Sequence, residues 1–250
     1  MKMNAASIKN QKAEWEALGV KLPAFDHDAM TAKTKEHPVW VHFGAGNIFR
    51  GFIAGLQQRL LNAGLADSGI VAAETFDYDI IDKIYVPHDS MTLMVSLKAD
   101  GSTQKEVIAS IAKGIKANCA DEAQWQLTDV FTAPSLQMAS FTITEKGYAL
   151  RNMKGELMPV VVSDMEKGPK QAHHAMAVVA AMLYARYQAG AMPIAMVSMD
   201  NCSHNGEKLR ASVMEIVAAW VKNGLVPADF EAYVNDEARV SFPWSMIDKI

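Results

Sequence analysis

Short apolar runs and longer amphipathic segments alternate along this chain. Apolar runs typical of buried strands occur over residues 39–43, 70–73, 138–142 and 194–198. Segments with helical periodicity occupy residues 47–62, 121–131, 171–188 and 207–223. Because buried strands that alternate with helices are typical of parallel sheets covered on both faces, the pattern predicts an α/β protein with a doubly wound, mostly parallel sheet.

One part of the chain departs from this alternation. Residues 91–98 alternate weakly, Asp100-Gly101 is a turn, and residues 106–115 are again β-branched and apolar. This order predicts a β-hairpin added beside the main sheet.

The segment 47–62 is predicted to be a helix with one buried face, ended by Gly64. The apolar positions that define this face are Ile48, Phe52, Leu56 and Leu60, with Ile53 and Leu61 beside them. The preceding residues 1–37 are mostly polar, with one short helix expected over residues 8–18. They are interpreted as an N-terminal arm on the outside of a domain that spans residues 38–250.

Composition limits the classes of function. The chain has 250 residues, is 50% hydrophobic and carries a net charge of −4. It can bury a sizeable core, and its charge does not support a nucleic acid or an anionic membrane as a partner. Apolar runs stay well below the roughly 20 residues of a membrane span. Cys119 and Cys202 lack a C-x-x-C arrangement, so no metal site and a cytoplasmic location are expected.

The first strand runs directly into the turn Gly44-Ala45-Gly46-Asn47-Ile48-Phe49 and then into a helix. Gly44 permits a tight turn, Gly46 lets a ligand approach the backbone, and the free N–H groups at the helix start can hold a pyrophosphate. Two glycines alone are weak evidence, but this context favours dinucleotide binding over an ordinary strand–turn–helix corner. Phe49 replaces the third glycine of G-x-G-x-x-G, so helix and strand must pack differently.

Glu74 ends the second predicted strand. An acid at this place accepts hydrogen bonds from the adenosine ribose and repels a 2′-phosphate, so it favours NAD over NADP. Glu74 follows Gly46 by 28 residues, more than the usual separation of about 20. The loop 63–69 accounts for the difference. The alternative is a solvent-exposed carboxylate at a strand end.

Polar residues follow the strand 194–198, among them Asp200 and Asn201. The carboxyl end of a parallel strand is where open α/β sheets bind ligands, although turn chemistry and helix capping also explain such residues. His173 and His174 are adjacent within a predicted helix and point to different sides, which argues against a metal site there.

Four segments together resemble the mannitol dehydrogenase family of long-chain polyol and hexuronate dehydrogenases, which includes fructuronate and tagaturonate reductases. They are Phe43–Gly51, Thr144–Tyr148, Ser198–Gly206 and Phe242–Ile250. Met199 stands where the family usually has cysteine, and Lys249 where it usually has arginine. The resemblance implies a Rossmann-type sheet whose NAD contacts are Gly44, Ala45, Gly46, Asn47, Ile48, Phe49, Glu74, Thr144 and Glu145.

The resemblance also implies hydride transfer between NAD and a small molecule, a sugar alcohol or aldonate that is interconverted with a ketose or keto-sugar acid. Asn201 is then the catalytic residue that holds and polarises the substrate oxygen, and Asp248 and Lys249 are substrate-binding residues where the cofactor and substrate domains meet. Family members continue into a helical domain with a lysine base, so this chain is expected to bind NAD without turnover. A nucleotide-binding module without catalysis is the competing interpretation. Glu74 and the late motifs disfavour a methyltransferase.

Overall fold

The computed structural model of the chain describes residues 1–117 and 126–246. Its strands are β1 Val20–Lys21, β2 Trp40–Phe43, β3 Ile70–Glu74, β4 Thr92–Leu97, β5 Thr103–Ile108, β6 Ile111–Lys116, β7 Met138–Phe141, β8 Ile194–Ser198 and β9 Val240–Ser241. The central sheet has the order β6-β3-β2-β7-β8-β9, and all its neighbours are parallel. The predicted parallel sheet is thus confirmed.

Helices cover both faces of this sheet. The α-helices of the described residues are α1 Ala5–Asn10, α2 Lys12–Ala17, α3 His27–Glu36, α4 Ala54–Asn62, α5 Tyr78–Ile80, α6 Gln126–Thr132, α7 Thr144–Tyr148, α8 Pro159–Lys167, α9 Ala175–Gln188, α10 Asn205–Lys222 and α11 Ala228–Asn235. The described residues also include the π-helical turns Phe49–Ile53 and Ile81–Tyr85 and the 3₁₀ turns Val86–His88 and Pro169–Gln171.

Alternate residues of the strands supply two separate cores. Val71 and Ala73 of β3 belong to a large core with α6, α8, α9, α10 and α11. Ile70 and Ala72 of the same strand belong to a second core with the two π-helical turns. Since successive side chains of a strand point to opposite faces, the sheet is covered on both sides, as the doubly wound prediction requires.

The predicted hairpin is present, but its second strand is shorter than expected. β4 and β5 pair antiparallel and form a small sheet with β1, in the order β1-β5-β4. The prediction that residues 111–115 continue the hairpin was wrong, because β6 joins the central sheet beside β3. The Gln58 amide spans this break: it donates to the Val107 carbonyl over 2.8 Å and accepts from the Ala109 N–H over 2.7 Å. Neither glycine nor proline marks the break in the sequence.

The helical segment after β2 packs with a face that shares only Ile53 and Leu61 with the predicted one. Ile48, Phe52, Leu56 and Leu60 are 65%, 54%, 43% and 44% exposed. The face toward the sheet consists of Phe49, Ile53, Ala54, Gln57, Gln58 and Leu61. The π-helical turn changes the angular spacing of these positions, and the two glutamines are buried because their amides reach backbone carbonyls.

The helix predicted over residues 171–188 begins four residues late, at Ala175. His173 and His174 therefore precede it, instead of lying inside it as predicted. The buried carboxylate of Asp164 accepts hydrogen bonds from the N–H groups of both histidines, and the His174 ring caps the helix by accepting from the Met176 N–H. These bonds favour a non-helical backbone before Ala175.

The start of the chain packs against the small sheet. It forms two short helices, α1 and α2, where one helix over residues 8–18 was predicted, because the chain breaks at Gln11. The third helix before β2, α3, was not predicted and packs beside β6 of the central sheet. Trp15 and Val20 are buried with Met91 and Val107. The division of the chain at residue 38 stays a prediction. Of the helix predicted over residues 121–131, the first part lies outside the described residues, as does Cys119.

Two features are absent from the described residues. None of the helices in residues 1–117 and 126–246 has the length and apolar character needed to cross a membrane. The same ranges contain no group of three or more histidine, cysteine, aspartate or glutamate residues arranged to hold a metal ion.

Candidate functional site

The direction of the strand order reverses between β2 and β7. From β2 the chain proceeds to β3 and β6 on one side, and from β7 it proceeds to β8 and β9 on the other. Ligands of open α/β sheets bind in the crevice that such a reversal leaves at the carboxyl ends of the strands. The turn after β2 and the segment after β7 both lie at this edge.

Gly44 begins the turn after β2 with a backbone that only glycine adopts readily. Its φ is +104°, and a Cβ at this position would lie 2.2 Å from the carbonyl oxygen of Thr142. The Gly44 N–H donates to the Ala73 carbonyl over 2.9 Å, and the Thr142 N–H donates to the Phe43 carbonyl over 2.9 Å. The turn is therefore fixed to the strands on both sides.

Gly46 has open space where Gly44 has none. Apart from Gly46 and its two chain neighbours, no residue of the described chain has an atom within 4 Å of the point where its Cβ would stand. The first helical hydrogen bond runs from the Arg50 N–H to the Gly46 carbonyl over 3.1 Å. Within the described residues, the N–H groups of Gly46, Asn47 and Ile48 thus keep their hydrogen-bonding capacity for a ligand. Such a helix start fits a phosphate group.

The Glu74 carboxylate joins the end of β3 to this turn. One oxygen, Oε2, accepts from the Ala45 N–H over 2.9 Å. The other, Oε1, accepts from the N–H groups of Thr75, Phe76 and Asp77 over 3.0, 2.9 and 3.3 Å. Glu74 is only 9% exposed, so it is not the solvent-exposed carboxylate of the alternative interpretation.

Tyr85 holds the other side of the turn and was missed by sequence reasoning. Its hydroxyl donates to the Ala45 carbonyl over 3.0 Å, although 40 residues separate the two in the chain. Burial raises the pKa of Tyr85, so the hydroxyl keeps its proton. The π-helical turn that carries Tyr85 was not distinguishable from other apolar segments in the sequence.

Phe49 replaces the missing glycine by stacking on His42 of β2. The two ring centroids are 4.2 Å apart and the planes differ by 6°. Trp40 Nε1 donates to the Ser140 hydroxyl over 2.6 Å. His42 Nδ1 and Nε2 form hydrogen bonds with the hydroxyls of Ser140 and Thr142 over 2.6 and 2.8 Å. Burial lowers the pKa of His42 to about 3, so the stacked imidazole is neutral.

Asp200 organises the opposite side of the crevice. Its carboxylate accepts from the N–H groups of Ile143 and Thr144 over 3.0 and 2.9 Å, and from the Tyr148 hydroxyl. Thr144 has a φ of +64°, which is uncommon for a β-branched residue. Asp200 therefore holds the turn after β7 in a strained conformation. The sequence placed Asp200 at this edge but gave no indication of these partners.

The remaining predicted residues lie on this side or outside the described chain. Asn201 is exposed and follows Asp200 directly, beyond β8. Glu145 forms an ion pair with Lys208. Asp248 and Lys249 lie outside the described residues. The structure thus brings the turn after β2 together with Glu74, and Thr144 together with the Asp200-Asn201 segment.

Comparisons with known proteins agree with this geometry. A Thermotoga maritima D-mannonate oxidoreductase is 49% identical over the whole chain, which covers 46% of that protein. A Gluconobacter oxydans polyol:NADP oxidoreductase is 26% identical over 92% of the chain and 45% of its own length. The solved ternary complex of Pseudomonas fluorescens mannitol 2-dehydrogenase with NAD and D-mannitol matches 97% of the chain with a TM-score of 0.77 and 25% identity. The chain covers 46% of that structure.

The chain spans about half the length of the curated relatives it matches. The sequence profile of the mannitol dehydrogenase Rossmann domain matches residues 39–250, which include both sides of the crevice. The chain therefore belongs to the mannitol dehydrogenase family, and residues 39–250 are its Rossmann domain.

Proposed function

We propose that this chain binds NAD as the cofactor half of a dehydrogenase. The observation that carries the proposal is the turn Gly44–Asn47 at the reversal of strand order. It combines open space at Gly46, helix-start N–H groups without protein acceptors among the described residues, and an acid at the end of β3. These are the features that a dinucleotide requires of an open α/β sheet.

The pyrophosphate and the adenosine ribose of the cofactor each have a matching group. The N–H groups of Gly46 and Asn47 would hold the pyrophosphate. Glu74 Oε2 has one protein donor, the Ala45 N–H, so it can also accept from a ribose hydroxyl. Thr144 and Glu145 border the crevice on the β7 side. Bound NAD supplies the hydride acceptor, while the chain supplies position and electrostatic environment.

The substrate class follows from the relatives. The reaction interconverts a secondary alcohol and a ketone on a sugar alcohol or an aldonate. The 49% identity to a D-mannonate oxidoreductase favours an aldonate, whereas the more distant relatives include polyol enzymes. Asn201 would hold and polarise the substrate oxygen, with Asp248 and Lys249 nearby. A cytoplasmic location stays a prediction that rests on the cysteine pattern.

Calorimetric titration of this chain with NADH tests the cofactor site. The unmodified chain should bind, and Gly46→Val should abolish binding because its side chain would occupy the space of the pyrophosphate. Gly46→Ala is the matched control, because it also replaces the glycine but adds only a methyl group. Its circular dichroism spectrum should be unchanged. Failure of the unmodified chain to bind NADH, or equal binding by Gly46→Val, would show that the proposal is wrong.

A test of the proposed role of Asn201 requires a protein of the relatives' full length. There, Asn201→Ala should lower kcat by about 10²–10³-fold while NADH affinity changes little, because a polarising group acts mainly on the transition state. The exposed Asn10 of the N-terminal arm gives a control, since Asn10→Ala should leave kcat unchanged. A protein that binds NADH but never turns over any sugar alcohol or aldonate would support the non-catalytic module.

A further inference from the structure

The two faces of the central sheet are covered unequally at β8. Ile194 and Met196 are 4% and 0% exposed and belong to the large core. Ala195 and Val197, which alternate with them along the strand, are only partly buried. Because successive side chains of a strand point to opposite faces, Ala195 and Val197 lie on the second face of the sheet. This face is therefore less covered at β8 than the first.

The strand register extends this difference to the neighbouring strands. Ala195 pairs with Met138 of β7 and with Ser241 of β9, and Met138 pairs with Trp40 of β2. All four residues are partly buried. They form a row across the second face, which we call the open row. The residues that follow the first three in their strands, Val41, Ala139 and Met196, point to the first face and are fully buried.

The second core does not extend along the open row beyond Trp40. Among the described residues, its buried members lie between residues 45 and 111, and none belongs to β7, β8 or β9. The helices α10 and α11, which contact β8 and β9, belong to the large core of the first face. Parallel sheets are normally covered on both faces. The open row thus lacks, within the described residues, the cover that such a sheet requires.

The last described residues lie at the end of the same strand. After β9 the chain returns to the carboxyl end of β8, where the Ser245 hydroxyl donates to the Ser198 carbonyl. The buried Asn205 amide donates to the Ser245 carbonyl over 3.1 Å. Met246 follows and is 80% exposed. The chain covers 46% of its D-mannonate oxidoreductase relative. In a protein of that length, the chain after Met246 therefore starts beside the second face of β8.

We propose that the part of the protein beyond residue 250 packs on the open row and completes the cover of the sheet. Met138 and Ala195 would be buried there by apolar side chains, because their association removes hydrocarbon surface from water. β8 leads directly into Asp200 and Asn201, so packing on this strand holds the second part of the protein next to the crevice. Packing on the open row does not require bound NAD, so it can fail while the cofactor site stands.

Oxidation of methionine by hydrogen peroxide, measured by mass spectrometry, compares this chain with a protein of the relatives' full length. Met138 should be oxidised in this chain and about tenfold or more slowly in the longer protein, because a covered thioether is shielded from the reagent. The exposed Met153 should react at the same rate in both proteins. Met196, which is buried on the first face, should react slowly in both.

Each other result for Met138 would overturn the proposal. Equal oxidation rates in the two proteins would show that the open row stays uncovered. Protection in this chain that increases with protein concentration would assign the row to a second copy of the chain. Protection in this chain at every concentration would show that its own 250 residues cover the row.

A lysine on the open row tests the same packing through stability. Ala195→Lys should keep the unfolding temperature of this chain within about 2 °C, because the ammonium group can reach water from a partly exposed position. In the longer protein the charge would be covered, so the unfolding temperature should fall by about 5 °C or more. Ala218→Lys, at an exposed position of α10, should change neither protein.

An equal effect of Ala195→Lys on both proteins would contradict the proposal. Should this variant not fold in the short chain, the oxidation of Met138 decides, since it needs no substitution. A short chain that binds no NADH while Met138 is protected in the longer protein would refute the cofactor site and leave the packing on the open row in place.

Discussion

The carboxylate of Glu74 accepts a hydrogen bond from the Ala45 N–H over 2.9 Å, although 29 positions separate these residues in the chain. The acid that the sequence assigns to the ribose therefore also fastens the glycine turn. One carboxylate can bind both the Ala45 N–H and a ribose hydroxyl, because its two oxygens offer about four acceptor sites.

Cofactor choice should depend on the charge of Glu74. NADP should bind the unmodified chain more weakly than NAD, and Glu74→Ser should narrow this difference by about 1–3 kcal/mol, because the repulsion of the 2′-phosphate is lost. Titration with NADH and NADPH measures the difference. Both affinities are expected to fall, since the turn loses its anchor, so the ratio is the relevant quantity. The exposed Glu36 provides the control Glu36→Ser. Equal affinity of the unmodified chain for both cofactors would exclude Glu74 from discrimination.

The two glycines of the turn should respond differently to alanine. Gly44→Ala places Cβ 2.2 Å from the Thr142 carbonyl oxygen at a φ of +104°. It should lower the free energy of unfolding by about 1–3 kcal/mol or more, as overpacking and backbone strain add. Gly46→Ala meets no atom within 4 Å and should keep the stability of the unmodified chain. Urea denaturation of both variants checks this, and similar stabilities would contradict the described turn.

His42 should make the stability of the fold depend on pH. The unfolded chain takes up a proton near pH 6.5, whereas burial lowers the pKa of the folded His42 to about 3. Between these values the unfolded state binds more protons, so the His42 contribution is fully present above pH 6.5 and is lost as the pH falls toward 3. The expected slope is up to about 1.4 kcal/mol per pH unit.

Urea denaturation at several pH values between 7 and 4 isolates this contribution. Burial also lowers the pKa values of His27 and His174, so the unmodified chain reports the sum. His42→Asn should have a clearly smaller slope, whereas His37→Asn at an exposed position should keep the full one. An unchanged slope in His42→Asn would mean that the buried imidazole is not kept neutral.

Arg186 should be the side chain least tolerant of a conservative change. It is 1% exposed and donates to carbonyl oxygens of Phe131, Ala133, Leu136, Met192 and Pro193 over 2.8–3.0 Å. Lysine has three donors on one nitrogen and cannot reach all these oxygens, so Arg186→Lys should lower the free energy of unfolding by about 3–5 kcal/mol. The exposed Arg59 gives the control Arg59→Lys, expected to change it by less than about 0.5 kcal/mol. A small effect at position 186 would show that the carbonyls find other donors.

The central sheet and the position of the site were predictable because their signals are local. The apolar strands β3, β7 and β8 stand out as short runs, and Gly44 and Gly46 lie between a strand and a helix. The buried side of the first helix was not predictable from hydrophobic spacing. Its packing depends on a π-helical turn and on Gln58, whose amide binds backbone groups 49 and 51 residues away.

The same limit applies to the anchors of the site. Tyr85 reads as one apolar residue among others, and its bond to the Ala45 carbonyl exists only after β3 has placed the two segments side by side. The separation of β6 from the hairpin also depends on a distant side chain. Residues whose function rests on a partner far along the chain leave no periodic trace in the sequence.

Three anchored backbone groups give the glycine turn its shape before any ligand arrives. The Gly44 N–H is held by Ala73, the Ala45 N–H by Glu74 and the Ala45 carbonyl by Tyr85. Such a turn is preorganised, so a ligand finds its N–H groups already aligned and little conformational entropy remains to be lost on association. The ordering cost is met once, during folding. Removing the Tyr85 hydroxyl would thus weaken dinucleotide binding although this hydroxyl does not contact the ligand. The turn would then have to be ordered during binding.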